Sequence, residues 1–288
     1  MPTARINGVE TSYEVAGRGI PAIFIHGGYG GAATTLVPQP NTIAGILPSD
    51  QFQTIACDRR SAGRSEYVLS EYTIEDLAAD AAALLDHLGH ERAIVIGSSA
   101  GGPIALQFAF DYPQRIIGLS LPNTGANLSS TERPVGVTRA KLVAEARVQG
   151  DQAVFELRKA KLRDVPPAGV APPAMGAAER IDERQKAVAA ALAQVSDQDL
   201  CRYFAGEIRN YGAYLGYDFT ARLGELSTMP VSIIHGDADA TVPYAWGEAL
   251  HRGIPGSEFH TIAGGGHGIL AWPEGANALR TWAAQFSR

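Results

Sequence analysis

The amino-acid sequence predicts an α/β fold with a mostly parallel, doubly wound sheet and an inserted helical cap. Short runs that are apolar on both faces recur along the chain, each bounded by Gly, Pro, Asp or Asn. Such runs are typical of central strands that are covered on both sides. Segments with helical spacing of apolar residues separate them. This alternation of strands and helices favours a doubly wound sheet.

The first predicted element is an antiparallel hairpin. Residues 3–6 and 9–15 flank Asn7-Gly8, the kind of dipeptide that best accommodates the positive φ angles of a type I′ turn. Central strands are then predicted at residues 22–25, 54–57, 93–96, 116–121 and 231–234.

Three helices are predicted between and after these strands. Residues 73–88 carry leucines at helical spacing, begin with a Thr73–Asp76 capping pattern and stop at Gly89. Residues 100–110 and 271–286 give the other two helices.

The strand pattern disappears between about residues 127 and 223. Pro-rich connections at residues 165–167 and 171–173 separate several helix-like pieces there. Because strand-like runs precede and follow this stretch, an excursion from a single sheet is favoured over a separate domain. We therefore predict a core domain of residues 1–126 and 224–288 and a helical cap of residues 127–223.

Length and composition limit the classes of function. With 288 residues, the chain has room for one large core and an inserted subdomain. A formal net charge of −6 gives no electrostatic reason to expect nucleic acid or an anionic membrane as a partner. A small-molecule substrate fits better, and the oligomeric state is left open between monomer and homodimer. The start of the chain has no apolar signal region, which favours a cytoplasmic location.

The chain has two cysteines, Cys57 and Cys201, and both are expected to be free thiols. They offer neither a disulfide framework nor a metal cluster.

A candidate nucleophile lies in Gly97-Ser98-Ser99-Ala100-Gly101, between a predicted strand and a predicted helix. This is the context of a nucleophile elbow, in which a strained turn lifts the central Ser99 hydroxyl clear of the sheet. Glycines on both sides remove side chains that would collide. Ser98 is the rival, but Ile96 and Ala100 stand where its flanking glycines would be needed. A Gly-Ser loop that merely caps a helix is the alternative without catalysis.

A serine hydroxyl is a weak nucleophile, so this interpretation requires a histidine base and an acid that orients it. Among seven histidines, His267 lies in a Gly-rich loop before the last predicted helix. Two aspartates, Asp237 and Asp239, follow the strand at residues 231–234. Their local chemistry does not separate them, because Asp237 fits equally well as a turn cap.

Together these motifs resemble the α/β-hydrolase fold family, in its cap-bearing serine hydrolase and esterase branch. The order Ser99, Asp239, His267 matches the nucleophile–acid–base order of that family. The family's pattern of Gly, then Asp three positions on, then Val-Pro falls on Gly236, Asp239, Val242 and Pro243. The resemblance therefore favours Asp239 over Asp237.

Two further segments resemble the same family. His26-Gly27-Gly28-Tyr29 is similar to its oxyanion-hole loop, which implies that the backbone N–H groups of Gly28 and Ala100 bind the oxyanion, while His26 is structural. A Gly-rich strand-to-helix turn is the alternative explanation. Residues 58–65 resemble the turn after the next strand, with Ser61 where the family has Gly, and are interpreted as scaffold.

With Ser at the elbow, the resemblance implies an acyl-enzyme and hydrolysis of a carboxylic ester or lactone of a small, largely apolar molecule. No metal or organic cofactor is required. C–C bond hydrolases, amidases, cofactor-free perhydrolases and a ligand sensor without turnover share this apparatus, so the bond stays open. Several cap residues fit either a substrate pocket or ordinary packing and solvated surface: Phe155, Tyr203, Phe204, Tyr211, Tyr214, Tyr217, Arg158, Arg202 and Arg209.

Overall fold

The computed structural model describes residues 1–36, 41–128, 134–164 and 189–287. Its centre is an eight-stranded sheet with the strand order β1-β2-β4-β3-β5-β6-β7-β8. The strands are β1 (Thr3–Ile6), β2 (Val9–Gly17), β3 (Ile20–Ile25), β4 (Phe52–Cys57), β5 (Ala93–Gly97), β6 (Ile116–Pro122), β7 (Val231–Gly236) and β8 (Glu258–Ile262).

Pairing within the sheet is mostly parallel. Strands β4, β3, β5, β6, β7 and β8 pair with one another in parallel, in that order across the sheet. Strand β1 pairs with β2, and β2 with β4, in antiparallel fashion. The β1–β2 hairpin turns at Asn7 and Gly8, with φ angles of 46° and 81°, as the type I′ preference requires. The predicted doubly wound α/β fold is confirmed.

Eight helices have both of their ends within the described residues. They are α1 (Gly31–Leu36), α2 (Ile74–His87), α3 (Gly101–Asp111), α4 (Pro134–Gln149), α5 (Asp151–Asp164), α6 (Asp197–Tyr214), α7 (Tyr244–Gly253) and α8 (Pro273–Ala283). Helices α2, α3, α7 and α8 cover the two faces of the sheet. Residues of α2, α3 and α7 belong to one buried cluster with the sheet, and residues of α8 belong to a second. The parallel strands are therefore apolar on both faces because both faces are buried.

The helices predicted at residues 73–88 and 100–110 are confirmed within one residue as α2 and α3. Thr73 caps α2 through a capping box with Asp76. The helix predicted at residues 271–286 is shorter, because Trp272 is extended and Pro273 begins α8, with a 3₁₀ turn on each side.

The described residues between β6 and β7 form helices and no strand. Besides α4, α5 and α6, residues 189–194 are helical, and a 3₁₀ segment, Thr220–Leu226, leads back to the sheet. This part has its own buried cluster, which includes Phe155 and Phe204. The Pro-rich connections predicted at residues 165–167 and 171–173 lie outside the described residues. The division at residues 126/127 and 223/224 stays a prediction.

Within the described ranges, no helix has the length and apolar character needed to cross a membrane.

Candidate active site

Ser99 lies in the tight turn between β5 and α3. Its φ angle is 50°, in the left-handed region that residues other than Gly rarely adopt. The two flanking glycines are sterically required. A Cβ on Gly97 would lie 2.5 Å from the carbonyl oxygen of Gly101, and a Cβ on Gly101 would lie 2.0 Å from that of Ile25. Only glycines let the turn pack this tightly against the sheet.

The His267 imidazole lies beside Ser99. Its Nε2 is 3.1 Å from the Ser99 Oγ, and its Nδ1 is 2.9 Å from an Asp239 carboxylate oxygen. When the Nδ1–H group donates a hydrogen bond to the carboxylate, the unprotonated Nε2 can accept the proton of the serine hydroxyl. Gly264 and Gly268 adopt left-handed φ angles in this loop.

Ser98 stabilises the turn through hydrogen bonds of its backbone. Its N–H donates to the carbonyl of Ile25, and its carbonyl accepts from the N–H of Gly101. The contact between the histidine and a serine is made by Ser99.

Asp239 is buried and fully hydrogen bonded. One carboxylate oxygen accepts from the backbone N–H groups of Thr241 and Val242 at 2.8 and 2.9 Å. Burial raises the pKa of this carboxyl, but the hydrogen bond and charge of His267 and these backbone donors outweigh burial and lower its pKa below the ordinary value. The group is therefore held as a carboxylate.

Asp237 lies elsewhere. It is exposed, and its carboxylate accepts from the backbone N–H of Gly264 at 2.7 Å. It therefore has the turn-capping contact that the sequence analysis left open for it, while Asp239 contacts the histidine.

Asn123 was missed by the sequence analysis. It follows β6, is fully buried and has a φ angle of 45°. Its Nδ2 donates to Asp239 at 2.7 Å, and its Oδ1 accepts from the backbone N–H of Ile269 at 2.6 Å. Asn123 thus links the carboxylate to the loop that carries His267. The available signal was a polar residue at the carboxyl end of a parallel strand, where sites form in such sheets.

A second buried histidine, His235, supports the acid loop. Its Nε2 donates to the carbonyl of Val242 at 3.0 Å and lies 3.6 Å from the Asp239 carboxylate. Burial lowers the pKa of this imidazole, which keeps it neutral.

The loop after β3 brings backbone donors towards Ser99. A Cβ on Gly27 would lie 3.0 Å from the Ser99 Cβ, so this glycine touches the serine. The next residue, Gly28, is exposed and has a φ angle of 77°. Within the described part of the chain, no group accepts a hydrogen bond from the backbone N–H of Gly28 or of Ala100. Of these two donors, Ala100 directly follows Ser99 and Gly28 directly follows the glycine that touches it.

A buried link joins the carbonyls of Gly28 and Ala100. Arg59 donates from Nη2 to the Gly28 oxygen at 2.5 Å and from Nη1 to the Tyr214 hydroxyl at 2.7 Å. That hydroxyl donates in turn to the Ala100 oxygen at 2.5 Å. Since Tyr214 belongs to α6, a helix between β6 and β7 holds both segments.

The turn at residues 58–65 makes structural contacts. Asp58 accepts from the backbone N–H of Arg64, and Arg60 forms an ion pair with Asp80 on α2. Ser61, where the family has Gly, takes a left-handed φ angle of 57°. Ser61 therefore adopts a conformation that is usually favourable for Gly.

His26, which is buried, and Cys57, which is half-buried, lie outside the Ser99–His267–Asp239 contacts. Burial and the charge of Arg59 lower the pKa of His26 to about 3, and its Nδ1 donates to the carbonyl of Gly27. Desolvation raises the pKa of the Cys57 thiol to about 12, which favours the protonated thiol.

Comparison with known proteins identifies the family of this chain. The family model described as alpha/beta hydrolase fold matches residues 21–273. A putative carbamate hydrolase RutD from Variovorax paradoxus (strain S110) is 30% identical over 250 residues, which cover 85% of this chain and 84% of the relative. A protein of the same name from Escherichia coli O81 (strain ED1a) is 28% identical over 90% of this chain and 89% of its own.

Solved structures agree in fold. An enol-lactonase from Burkholderia xenovorans LB400 superposes with a TM-score of 0.71 and 25% identity over 99% of both chains. An esterase from Thermogutta terrifontis gives a TM-score of 0.73 and 24% identity over 100% of both. The match of the family model over most of the chain shows that this protein belongs to the α/β-hydrolase fold family.

Proposed function

We propose that this protein is a serine hydrolase that cleaves a carboxylic ester or lactone of a small molecule through an acyl-enzyme. One observation carries the proposal: a continuous contact from the Asp239 carboxylate through His267 to the Ser99 hydroxyl. A serine, a histidine and a buried carboxylate in this relation are the groups that acyl transfer requires. Membership of a hydrolase family agrees with it.

In the first half-reaction, the Ser99 Oγ attacks the substrate carbonyl while His267 Nε2 takes the hydroxyl proton. The imidazolium that forms is stabilised by Asp239, which is already ionised and keeps Nδ1 protonated. His267 then returns the proton to the leaving oxygen, and the acyl group stays on Ser99. A water activated by the same imidazole hydrolyses this ester in the second half-reaction.

The tetrahedral oxyanion is assigned to the backbone N–H groups of Gly28 and Ala100, which have no other acceptor among the described residues. The N-terminus of α3 begins at Gly101 and adds a favourable dipole. Each fixed donor of this kind contributes about 3 kcal/mol to lowering the barrier.

Carbamate cleavage is the second candidate. The relatives named putative carbamate hydrolase RutD match 85–94% of this chain at 26–30% identity. A carbamate carbonyl reaches a tetrahedral intermediate by the same attack. A substrate panel of esters, lactones, amides and carbamates, scored by kcat/KM, ranks the bond types directly.

Substitutions at Ser99 and at the two aspartates test the proposed mechanism. We expect Ser99→Ala to abolish turnover of short p-nitrophenyl esters, because the nucleophile is lost. Asp239→Asn should lower kcat by about 10⁴-fold, since it removes the group that fixes the histidine tautomer. Asp237→Asn is the matched control and should stay close to wild type.

Steady-state kinetics with circular dichroism to verify folding gives the comparison. Wild-type turnover by folded Ser99→Ala, or a larger loss in Asp237→Asn than in Asp239→Asn, would overturn the assignment. Turnover that stops after one equivalent in wild type would point instead to a ligand sensor.

A further inference from the structure

The seven described arginines between β6 and β7 fall into two groups. Six are paired with carboxylates: Arg147 with Glu71, Arg158 with Glu145, Arg163 with Asp197, Arg202 with Asp199, Arg209 with Asp151, and Arg222 with Glu225. Arg139, on α4, is different. Within the described ranges of the chain, no carboxylate forms an ion pair with it.

The Arg139 guanidinium is held by two aromatic rings. It lies 4.0 Å from the ring centroid of Tyr29 and 5.0 Å from that of Tyr211. The two rings are themselves in contact, with centroids 5.2 Å apart. This cation–π contact positions the guanidinium, and within the described part of the chain none of its N–H groups donates a hydrogen bond to an acceptor.

The nearby carboxyl group of Glu207 does not neutralise this charge by pairing with it. One of its oxygens accepts from the Tyr211 hydroxyl at 2.5 Å. Burial raises the pKa of Glu207, although that hydrogen bond and the Arg139 charge oppose the rise. Burial therefore favours the neutral acid beside the arginine.

Arg139 lies next to the proposed oxyanion loop, because Tyr29 directly follows Gly28, and Gly27 touches Ser99. The Tyr29 ring also contacts the ring of Tyr214, with centroids 5.0 Å apart, and the Tyr214 hydroxyl donates to the Ala100 carbonyl. The ring beneath Arg139 therefore belongs to the cluster that supports both proposed oxyanion donors.

We propose that Arg139 binds a carboxylate at the far end of the substrate's acyl chain. The preferred substrates are then esters or lactones whose acyl part ends in a carboxylate, with an apolar chain between the two ends. A guanidinium edge accepts a carboxylate through two parallel, charge-assisted hydrogen bonds. This inference rests on the proposed serine hydrolase function and adds the substrate class.

Paired substrates of equal length test it. The p-nitrophenyl half-esters of adipic, pimelic and suberic acid carry the terminal carboxylate, and p-nitrophenyl hexanoate, heptanoate and octanoate lack it. The measured quantity is the ratio of kcat/KM for each half-ester to that for its neutral partner. This ratio is independent of the active fraction of a preparation, so a partly unfolded variant gives no false result.

We expect Arg139→Gln to lower this ratio by about tenfold to a hundredfold, which corresponds to a lost hydrogen bond to a charged group. The chain length with the greatest loss identifies the distance from Ser99 to the arginine. Arg147→Gln is the matched control, because it removes a charge from the same helix at a residue paired with Glu71. It should keep the wild-type ratio.

An Arg139→Gln ratio equal to that of wild type at all three lengths would overturn the assignment of Arg139, while Ser99-dependent turnover of the neutral esters would leave the hydrolase proposal standing. Absence of turnover for every ester in wild type would overturn both.

Discussion

Residues in left-handed conformations concentrate around the site. Apart from glycines, positive φ angles occur in the described chain at Asn7, Ser61, Ser99 and Asn123. Asn tolerates this region because its short side chain bonds locally, whereas Ser does so at a cost of about 1–3 kcal/mol. At Ser99 and Asn123 the conformation aims a side chain at the His267–Asp239 pair. At Ser61 it preserves a turn packed beneath α6.

Burial of His26 predicts that the free energy of unfolding depends on pH. Its pKa of about 3 in the folded state lies below the ordinary value of 6.5. Between these values the unfolded chain binds a proton that the folded chain does not, so stability falls as the pH falls below 6.5. The slope from this one group is at most about 1.4 kcal/mol per pH unit.

We expect His26→Asn, which keeps a donor for the Gly27 carbonyl but does not titrate, to remove this slope. Urea unfolding at pH 7.5, 6.5, 5.5 and 5.0 gives the free energy of unfolding for both proteins. The wild-type value should fall more steeply with acidity. Parallel curves would show that His26 is not buried in its neutral form.

Local sequence identifies some site residues and not others. Ser99 and His267 lie in glycine-rich turns, and the neighbouring glycines predict the conformations of these turns. Asp237 and Asp239 carry the same chemistry two positions apart, so only the path of the loop after β7 decides which one meets the histidine. Asn123 acts through partners 116 and 146 positions away, which no local pattern reports.

At the scale of an element, helix α6 also has features that its local sequence does not reveal. Gly206 lies against the core, where an added Cβ would be 2.6 Å from the Tyr67 ring and 3.0 Å from the Ser61 Cβ. Gly212, on the same helix, has room, because its nearest neighbour would be 3.8 Å away. Two glycines in one helix therefore have opposite roles.

Gly206→Ala should destabilise the protein by about 1–3 kcal/mol through overpacking. Gly212→Ala should stabilise it by about 0.5–1 kcal/mol, since Ala is the better helix former. Urea unfolding midpoints measure both. Equal effects of the two substitutions would contradict the close contact between α6 and the core.

Two of the elements that the sequence analysis missed, β8 and α1, have weak sequence patterns for physical reasons. Strand β8 pairs with a single neighbour and is mostly exposed or half-buried, so it lacks the apolar run of a central strand. Helix α1 has only six residues. The strands buried on both faces were found because burial alone makes them continuously apolar.

At the scale of the whole molecule, α6 is coupled to the proposed oxyanion hole. The Tyr214 hydroxyl, at the end of this helix, contacts the Ala100 carbonyl and Arg59, which in turn contacts Gly28. We expect Tyr214→Phe to lower kcat for short esters about tenfold with little change in KM, because loosening the two donors weakens binding of the transition state more than of the substrate.

Tyr217→Phe is the matched control for Tyr214→Phe. Its ring lies 5.9 Å from that of Tyr214, but its hydroxyl accepts from the backbone of Leu128 and contacts neither donor segment. It should keep the wild-type kcat. An equal loss in both variants would assign the effect to general packing of the aromatic cluster.

The central claim is that Ser99 is an activated nucleophile. Labelling with a fluorophosphonate, followed by intact-mass measurement and peptide mapping, tests it without knowledge of the substrate. The account predicts one adduct per chain, located on Ser99, formed rapidly in wild type and absent in Ser99→Ala. An adduct on Ser98, or no adduct on folded wild-type protein, would contradict it.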